Sequence, residues 1–159
     1  MMGSYVSRIR SSAGSQCLFL PGVRAIILNQ RNAVLLQRRT DMPCWGLPGG
    51  TLELDDTVLD ALKREVKEET DLDIQLAEPM ALYSGPDQRF SYPNGDQVQP
   101  FAIAFIIREW TGVPKADGAE GSELRFWPLD LLPRDLVPIH AKTLADFRSY
   151  KGGFLISGS

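Results

Sequence analysis

Three glutamates crowd into one short stretch, REVKEET (64–70): Glu65, Glu68 and Glu69. If the stretch is helical, spacings of three and four put all three carboxylates on one face. Like charges at that spacing cost an isolated helix roughly 0.2–0.5 kcal/mol per pair. A cation that prefers oxygen ligands would turn the repulsion into a site. Mg²⁺ fits, since it takes a few carboxylates and leaves positions for water and phosphate. The alternative is a solvated acidic face. Lys63, Arg64 and Lys67 are interleaved, and Arg64 with Glu68 is spaced for an i,i+4 ion pair.

The residues upstream favour a site. WGLPGGTLELDD (45–56) precedes the acidic stretch. Pro48, Gly49 and Gly50 mark a loop, and the glycines let backbone come close to phosphate or metal. Residues 51–54 read as a short extended piece. Asp55 and Asp56 offer N-caps, and Thr57 opens the helix. Val58, Leu59, Leu62 and Val66 recur at helical spacing as the buried stripe. The carboxylates then lie off that stripe, on the side a folded-back glycine loop can reach.

This loop and helix resemble the box of the Nudix hydrolase family. That box reads Gly, five residues, Glu, seven residues, Arg-Glu, an aliphatic, any residue, Glu-Glu, any residue, Gly, an aliphatic. Gly50, Arg64, Glu65, Val66, Glu68, Glu69 and Leu72 fill seven of its nine defined positions, spanning 50–72. Asp56 stands where the family has its first Glu, and Asp71 where it has its second Gly. Asp71 is expected just past the helix, where a left-handed backbone is common and Asp tolerates it less freely than Gly. Asp56 keeps the charge with a shorter reach. It is expected to orient Arg64 or to help cap the helix.

The whole chain sets wider bounds. Its 159 residues, 43% hydrophobic and 23% charged, suggest one globular domain over 1–159. A net charge of −3 argues against a nucleic-acid surface as the main business. No stretch is apolar for long enough to span a bilayer, and the N-terminus lacks the apolar core of a secretory signal. Cys17 and Cys44 read as reduced thiols of a cytoplasmic protein. The single histidine, His140, argues against a multi-histidine zinc site and a Ser-His-Asp triad.

Element by element, the pattern predicts a short helix over 4–12 and strands over 16–20, 24–28 and 33–37. Pro21-Gly22 closes the first strand, and residues 29–32 form a hairpin turn. Further strands are expected over 74–76, 80–84, 98–109 and 124–129. Asn94-Gly95 is a strong hairpin signal. A C-terminal helix is expected over about 139–150, and the last residues fray or add an edge contact. Strands, one central helix, more strands and a terminal helix make an α+β fold with a mixed sheet. The resemblance implies the family's α/β/α sandwich.

The resemblance also implies chemistry: hydrolysis of a phosphoanhydride with bound Mg²⁺ or Mn²⁺. Glu65, Glu68 and Glu69 are the implied ligands, with the Gly49 carbonyl contributing and Arg64 orienting the cluster. Either Glu65 or Glu68 acts as base through a water. A later loop often supplies another carboxylate in this family. Glu120 and Glu123 are the candidates here, with Glu120 favoured. Glu53, just before the helix, is placed to approach the metal or substrate, beside Gly50.

Arg38 and Arg39 follow a strand and suit a bidentate phosphate clamp; Arg39 is the one chosen for substrate. Tyr92, with Arg89 and Phe90, sits in a hairpin placed to cover a base or sugar. Trp45 and Trp127 read as packing residues.

The substrate expectation is a nucleoside diphosphate linked to a further group: ADP-ribose, a nucleotide sugar, a dinucleoside polyphosphate or a nucleoside triphosphate. One alternative is a nucleotide-sensing module of the same fold with weak catalysis. Another is removal of a 5′ diphosphate from RNA, which the net acidity disfavours. The resemblance makes a homodimer plausible.

Overall fold

The computed structural model describes residues 4–157. Residues 1–3 and 158–159 belong to the expected domain and lie outside the described residues. In chain order the elements are α1 (Ser4–Ala13), β1 (Leu18–Ile27), β2 (Val34–Arg39), β3 (Trp45–Gly46), β4 (Gly49–Thr51), α2 (Val58–Thr70), β5 (Asp73–Tyr83), β6 (Phe90–Ser91), β7 (Gln97–Thr111), β8 (Gly121–Trp127), α3 (Pro138–Arg148) and β9 (Leu155–Ser157). A single 3-10 turn, Pro86–Gln88, follows β5.

The larger sheet runs β4-β1-β7-β5-β9, with β6 also paired to β7. It is mixed: β1 is parallel to β7 and β9 to β5, while the other pairs are antiparallel. The smaller sheet, β3-β2-β8, is antiparallel. The expected α+β architecture is therefore present.

Alternation along the strands sends side chains to two cores. On one face Val23, Ala25, Ile27 and Leu35 pack with Ala61, Leu62 and Val66 of α2. On the other, Ile26, Leu28, Val34 and Leu36 pack with Leu144 and Phe147 of α3. Farther along that second face, Leu18, Leu20 and Val98 pack with Val6 of α1. Between α1 and α3 the sheet face carries Gly22 and Arg24 instead of large apolar groups. The gap they leave is the floor of a cleft.

Several expectations need correction. Pro21-Gly22 does not close the first strand: β1 runs through it. The β1–β4 ladder ends at Gly22, so the missing Pro21 N–H costs no bond there, and the Pro21 carbonyl accepts the Leu52 N–H at 3.1 Å. The strands expected over 74–76 and 80–84 are one, β5, whose register shifts around Pro79 absorb the imino acid. Gly49 and Gly50 form an edge strand, paired with Arg24 and Val23 of β1. The 29–32 turn forms, yet its flanking strands share only one bridge, Leu28 to Val34, before joining different sheets.

The cap of α2 also differs. Thr57 is the N-cap: its Oγ1 accepts the Asp60 N–H, and Asp60 returns a bond to the Thr57 N–H. Asp56 is drawn elsewhere, as described below. Leu59 is 49% exposed and leaves the stripe, whose buried residues are Ala61, Leu62, Val66, Thr70 and, unexpectedly, Glu65 and Glu69. α1 and α3 fall where the pattern placed helices, and β9 adds to the edge of β5.

Candidate active site

The site is built where α2 passes beside β4. Glu65 and Glu69, one turn apart, are buried at 4% and 1% exposure. Glu69 Oε2 accepts the Gly49 N–H at 3.2 Å and the Gln37 side-chain N–H at 2.7 Å. Glu65 lies directly over Gly50. A Cβ at residue 50 would come within 2.5 Å of the Glu65 carboxyl carbon, so only glycine leaves room for that carboxylate. Gly49 is equally constrained: a Cβ there would meet the Val23 carbonyl oxygen at 2.1 Å. The two glycines let an edge strand pass under a pair of buried acids.

Arg64 is the hub that orients them. It donates to Glu65 Oε1 at 2.6 Å, to Asp56 Oδ2 at 2.8 Å and to the Thr51 carbonyl at 3.3 Å. Asp56 also accepts the Glu53 N–H at 2.9 Å. These two contacts hold the Asp56 carboxyl below its usual range. Asp56 therefore positions Arg64, as its shorter reach suggested. Asp71 closes α2 in the left-handed conformation at φ 62°, the backbone expected there.

The third carboxylate comes from Glu120. Oxygens of Glu65, Glu69 and Glu120 lie within 4.8 Å of one another. The loop carrying Glu120 is pinned at both ends. Asp117 Oδ1 accepts the N–H groups of Ala119, Glu120 and Gly121 at 3.0 Å each. On the other side the Thr40 N–H donates to the Glu120 carbonyl at 3.1 Å.

Glu68 falls outside this cluster. Its side chain is 52% exposed, with Arg64 4.0 Å away. Adjacent residues on a helix are turned by about 100°, so Glu69 points into the fold and Glu68 toward its margin.

Burial raises the carboxyl of Glu65 above its ordinary range, against the pull of Arg64. It raises that of Glu69 well above, reinforced by the neighbouring Glu65 charge. The charge of Glu65 against buried Glu69 is a repulsion that a cation would relieve. Gln37 Oε1 is a buried acceptor without a partner. The three carboxylates form a hard-donor set that suits Mg²⁺ or Mn²⁺.

The acids open onto a cleft of about 440 Å³. Arg39 and Tyr92 both line it, as expected of substrate residues. The Arg39 fork is engaged by Asp41, at 2.8 and 2.6 Å. Tyr92 packs edge-on against Phe90, with centroids 5.0 Å apart. Glu53 does not line the cleft. Its Oε2 accepts the Tyr5 N–H at 3.1 Å, at the start of α1. Arg38 pairs with Asp135 away from the cleft. Trp45 is a packing residue, edge-on to Trp127 at 5.3 Å within the core.

Three buried polar residues of the cleft were not singled out by sequence reasoning as site residues: Gln37, Arg24 and His140. Gln37 ends the apolar run VLL, and Arg24 interrupts VRAII, so each was visible as a polar break in a buried strand. His140 gave no local signal.

The NUDIX domain family matches residues 18–147 of the chain. The chain belongs to that family. An ADP-ribose pyrophosphatase of Methanocaldococcus jannaschii is 35% identical over 130 residues, 80% of this chain and 72% of that protein. An RNA pyrophosphohydrolase of Pseudomonas putida is 37% identical over 118 residues, 63% of this chain and 74% of that protein. The crystal structure of a MutT NUDIX hydrolase from Burkholderia pseudomallei superposes with a TM-score of 0.69 at 25% identity. That match covers 80% of this chain and 97% of the other. The Nudix box lies inside the matched segment, so the glycine loop, α2 and the Glu65, Glu69 and Glu120 cluster all belong to the Nudix fold.

Proposed function

We propose that this Nudix hydrolase cleaves a phosphoanhydride bond in a nucleoside diphosphate linked to a further group, with Mg²⁺ or Mn²⁺ held by Glu65, Glu69 and Glu120. The observation that carries this reading is the approach of three carboxylates within 4.8 Å of one another at the wall of a cleft. A divalent ion so held would neutralise the diphosphate and make a bound water acidic.

The chain's own residues do the rest. Gly49 and Gln37 hold the Glu69 carboxylate still, and Arg64 holds that of Glu65. Proton removal from water falls to Glu65 or Glu68. Glu65 sits in the cluster and Glu68 at its margin, with Arg64 between them. Arg39 reads phosphate once substrate competes with Asp41 for its fork. Tyr92 and Phe90 wall the far side of the cleft. Two cysteines without disulfides fit a cytoplasmic setting. The described residues include no helix long and apolar enough to cross a membrane.

The test is a panel: ADP-ribose, nucleotide sugars, dinucleoside polyphosphates, nucleoside triphosphates and 5′-triphosphorylated RNA, each with Mg²⁺. Cleavage of at least one small nucleotide, abolished by chelator, is the expected result. Cleavage of RNA alone would favour the activity named in the P. putida relative. Tight binding without cleavage would make the protein a sensor. Glu68→Gln is expected to lower kcat while leaving Mg²⁺ affinity nearly unchanged, because Glu68 stands outside the cluster.

A further inference from the structure

The cleft floor holds a buried cation that the phosphate chemistry does not use. Arg24 is 4% exposed, lines the cleft, and among the described residues forms no ion pair with a carboxylate. Its two terminal nitrogens donate to neutral oxygens, Thr143 Oγ1 at 3.0 Å and Gln88 Oε1 at 2.7 Å. Its guanidinium lies 5.1 Å from the centre of the Tyr83 ring. These contacts fix the fork, and the Asp87 charge offsets only part of its cost of burial, from beyond ion-pair distance. The other two arginines of the cleft are engaged by acids, Arg39 by Asp41 and Arg10 by Asp96. A charge buried without a direct ion pair is costly to a fold, and acceptors supplied from outside would lower that cost.

His140 stands next to it. His140 and Thr143 are three apart on α3, so the histidine shares a face with the residue that holds Arg24. His140 Nδ1 accepts the Leu47 N–H at 3.0 Å. In the neutral ring the proton must then sit on Nε2, which makes His140 a donor within the cleft. Burial and the nearby positive charge of Arg24 keep the ring neutral. The same floor has little bulk: Gly22 lies beside Ala102 across the parallel β1–β7 pair, and Pro100 follows two residues along. A flat ring has room there.

We propose that Arg24, with His140, determines base specificity by donating hydrogen bonds to the O6 and N7 edge of a 6-oxopurine. Guanine and hypoxanthine present two acceptors on that edge, and arginine binds such a pair bidentately. Adenine presents one acceptor and an amino donor, which faces the donors of the floor. The inference rests on the nucleotide reading of the cleft. It ranks an adenine substrate such as ADP-ribose below its hypoxanthine counterpart.

The test separates base reading from catalysis. Binding of the methylene-bridged diphosphates of inosine and adenosine, which resist hydrolysis, is measured by calorimetry with Mg²⁺. The inosine compound is expected to bind about tenfold tighter or better. Arg24→Met is expected to bring the two affinities within about twofold, and Arg24→Lys to keep part of the preference. Equal or tighter binding of the adenosine compound by the wild-type protein would overturn the proposal, whether or not either variant folds. An unchanged preference in a folded Arg24→Met variant would do the same. Hydrolysis of the cleavable parent compounds is assayed in parallel. An inosine preference with no hydrolysis of these compounds or of any member of the nucleotide panel would sink the hydrolase reading and leave this one standing; hydrolysis with an adenosine preference would do the reverse.

Discussion

The two ends of the cleft are made differently. The acidic end draws Gly49, Gly50, Glu65, Glu69 and their orienting Arg64 from little more than twenty consecutive residues, with Gln37 and Glu120 added from the smaller sheet and its loop. The floor and far wall gather residues from β1, the turn after β5, the β6–β7 hairpin and α3. One end is a local unit whose geometry follows from helix spacing and two glycines. The other exists only once the sheets and helices have assembled. In the reading proposed above, the local unit carries the chemistry and the assembled one reads the substrate.

If that division is right, the largest effects come from the acidic end. Glu69→Gln removes a buried ligand held by two hydrogen bonds. Turnover is expected to fall by about 10²-fold or more, with Mg²⁺ affinity falling alongside it. Thermal stability of the metal-free protein should hold or rise, because the carboxylate pair no longer has to share a site. Loss of fold in calorimetry would show that the acids serve structure instead.

Gly50→Ala asks whether the local unit needs its close approach. The new methyl would lie 2.5 Å from the Glu65 carboxyl carbon, and that flexible side chain would swing away from its place in the cluster. Activity is expected to drop by about 10²-fold, a cost typical of small misplacements, with only a small change in melting temperature.

How much of this was readable beforehand follows the same division. Glu65, Glu69, Gly50 and Arg64 could be placed by their match to the Nudix box, and helix spacing put the glutamates on one face. The spacing could not separate Glu68 from Glu69: one turns outward and the other inward, and only the packing of α2 on β1 and β4 decides which. Glu53 was drawn away by the N-terminus of α1, a partner 48 residues distant. Gln37 and Arg24 were legible as polar breaks in apolar strands, but not what they face. His140 is defined by contact with Leu47, 93 residues away, which no local pattern reports. Pro21 and Pro79 misled the reading of strand ends, since a proline interrupts a strand only where its N–H is needed.

The smallest expected effect belongs to the floor and concerns stability. Burial first, then the charges of Arg24 and Arg39, hold His140 neutral in the folded chain, well below its ordinary range. In the unfolded chain it takes up a proton below about pH 6.5. The unfolded state then binds more protons, so stability falls as pH drops below that value, by at most about 1.4 kcal/mol per pH unit. His140→Asn keeps an acceptor for the Leu47 N–H and cannot be charged. Urea unfolding at pH 7 and pH 5.5 should show a smaller loss in the variant. An identical loss would mean that His140 is protonated in the native state.

The central claim is that Glu65, Glu69 and Glu120 hold a divalent ion against a diphosphate. It is tested most directly by a crystal grown with Mn²⁺ and a methylene-bridged nucleoside diphosphate, using the anomalous scattering of manganese. An anomalous peak among those three carboxylates, with the diphosphate oxygens beside it, is the predicted result. Bound nucleotide with no peak there, and Glu69 still paired only to Gln37 and Gly49, would contradict the account.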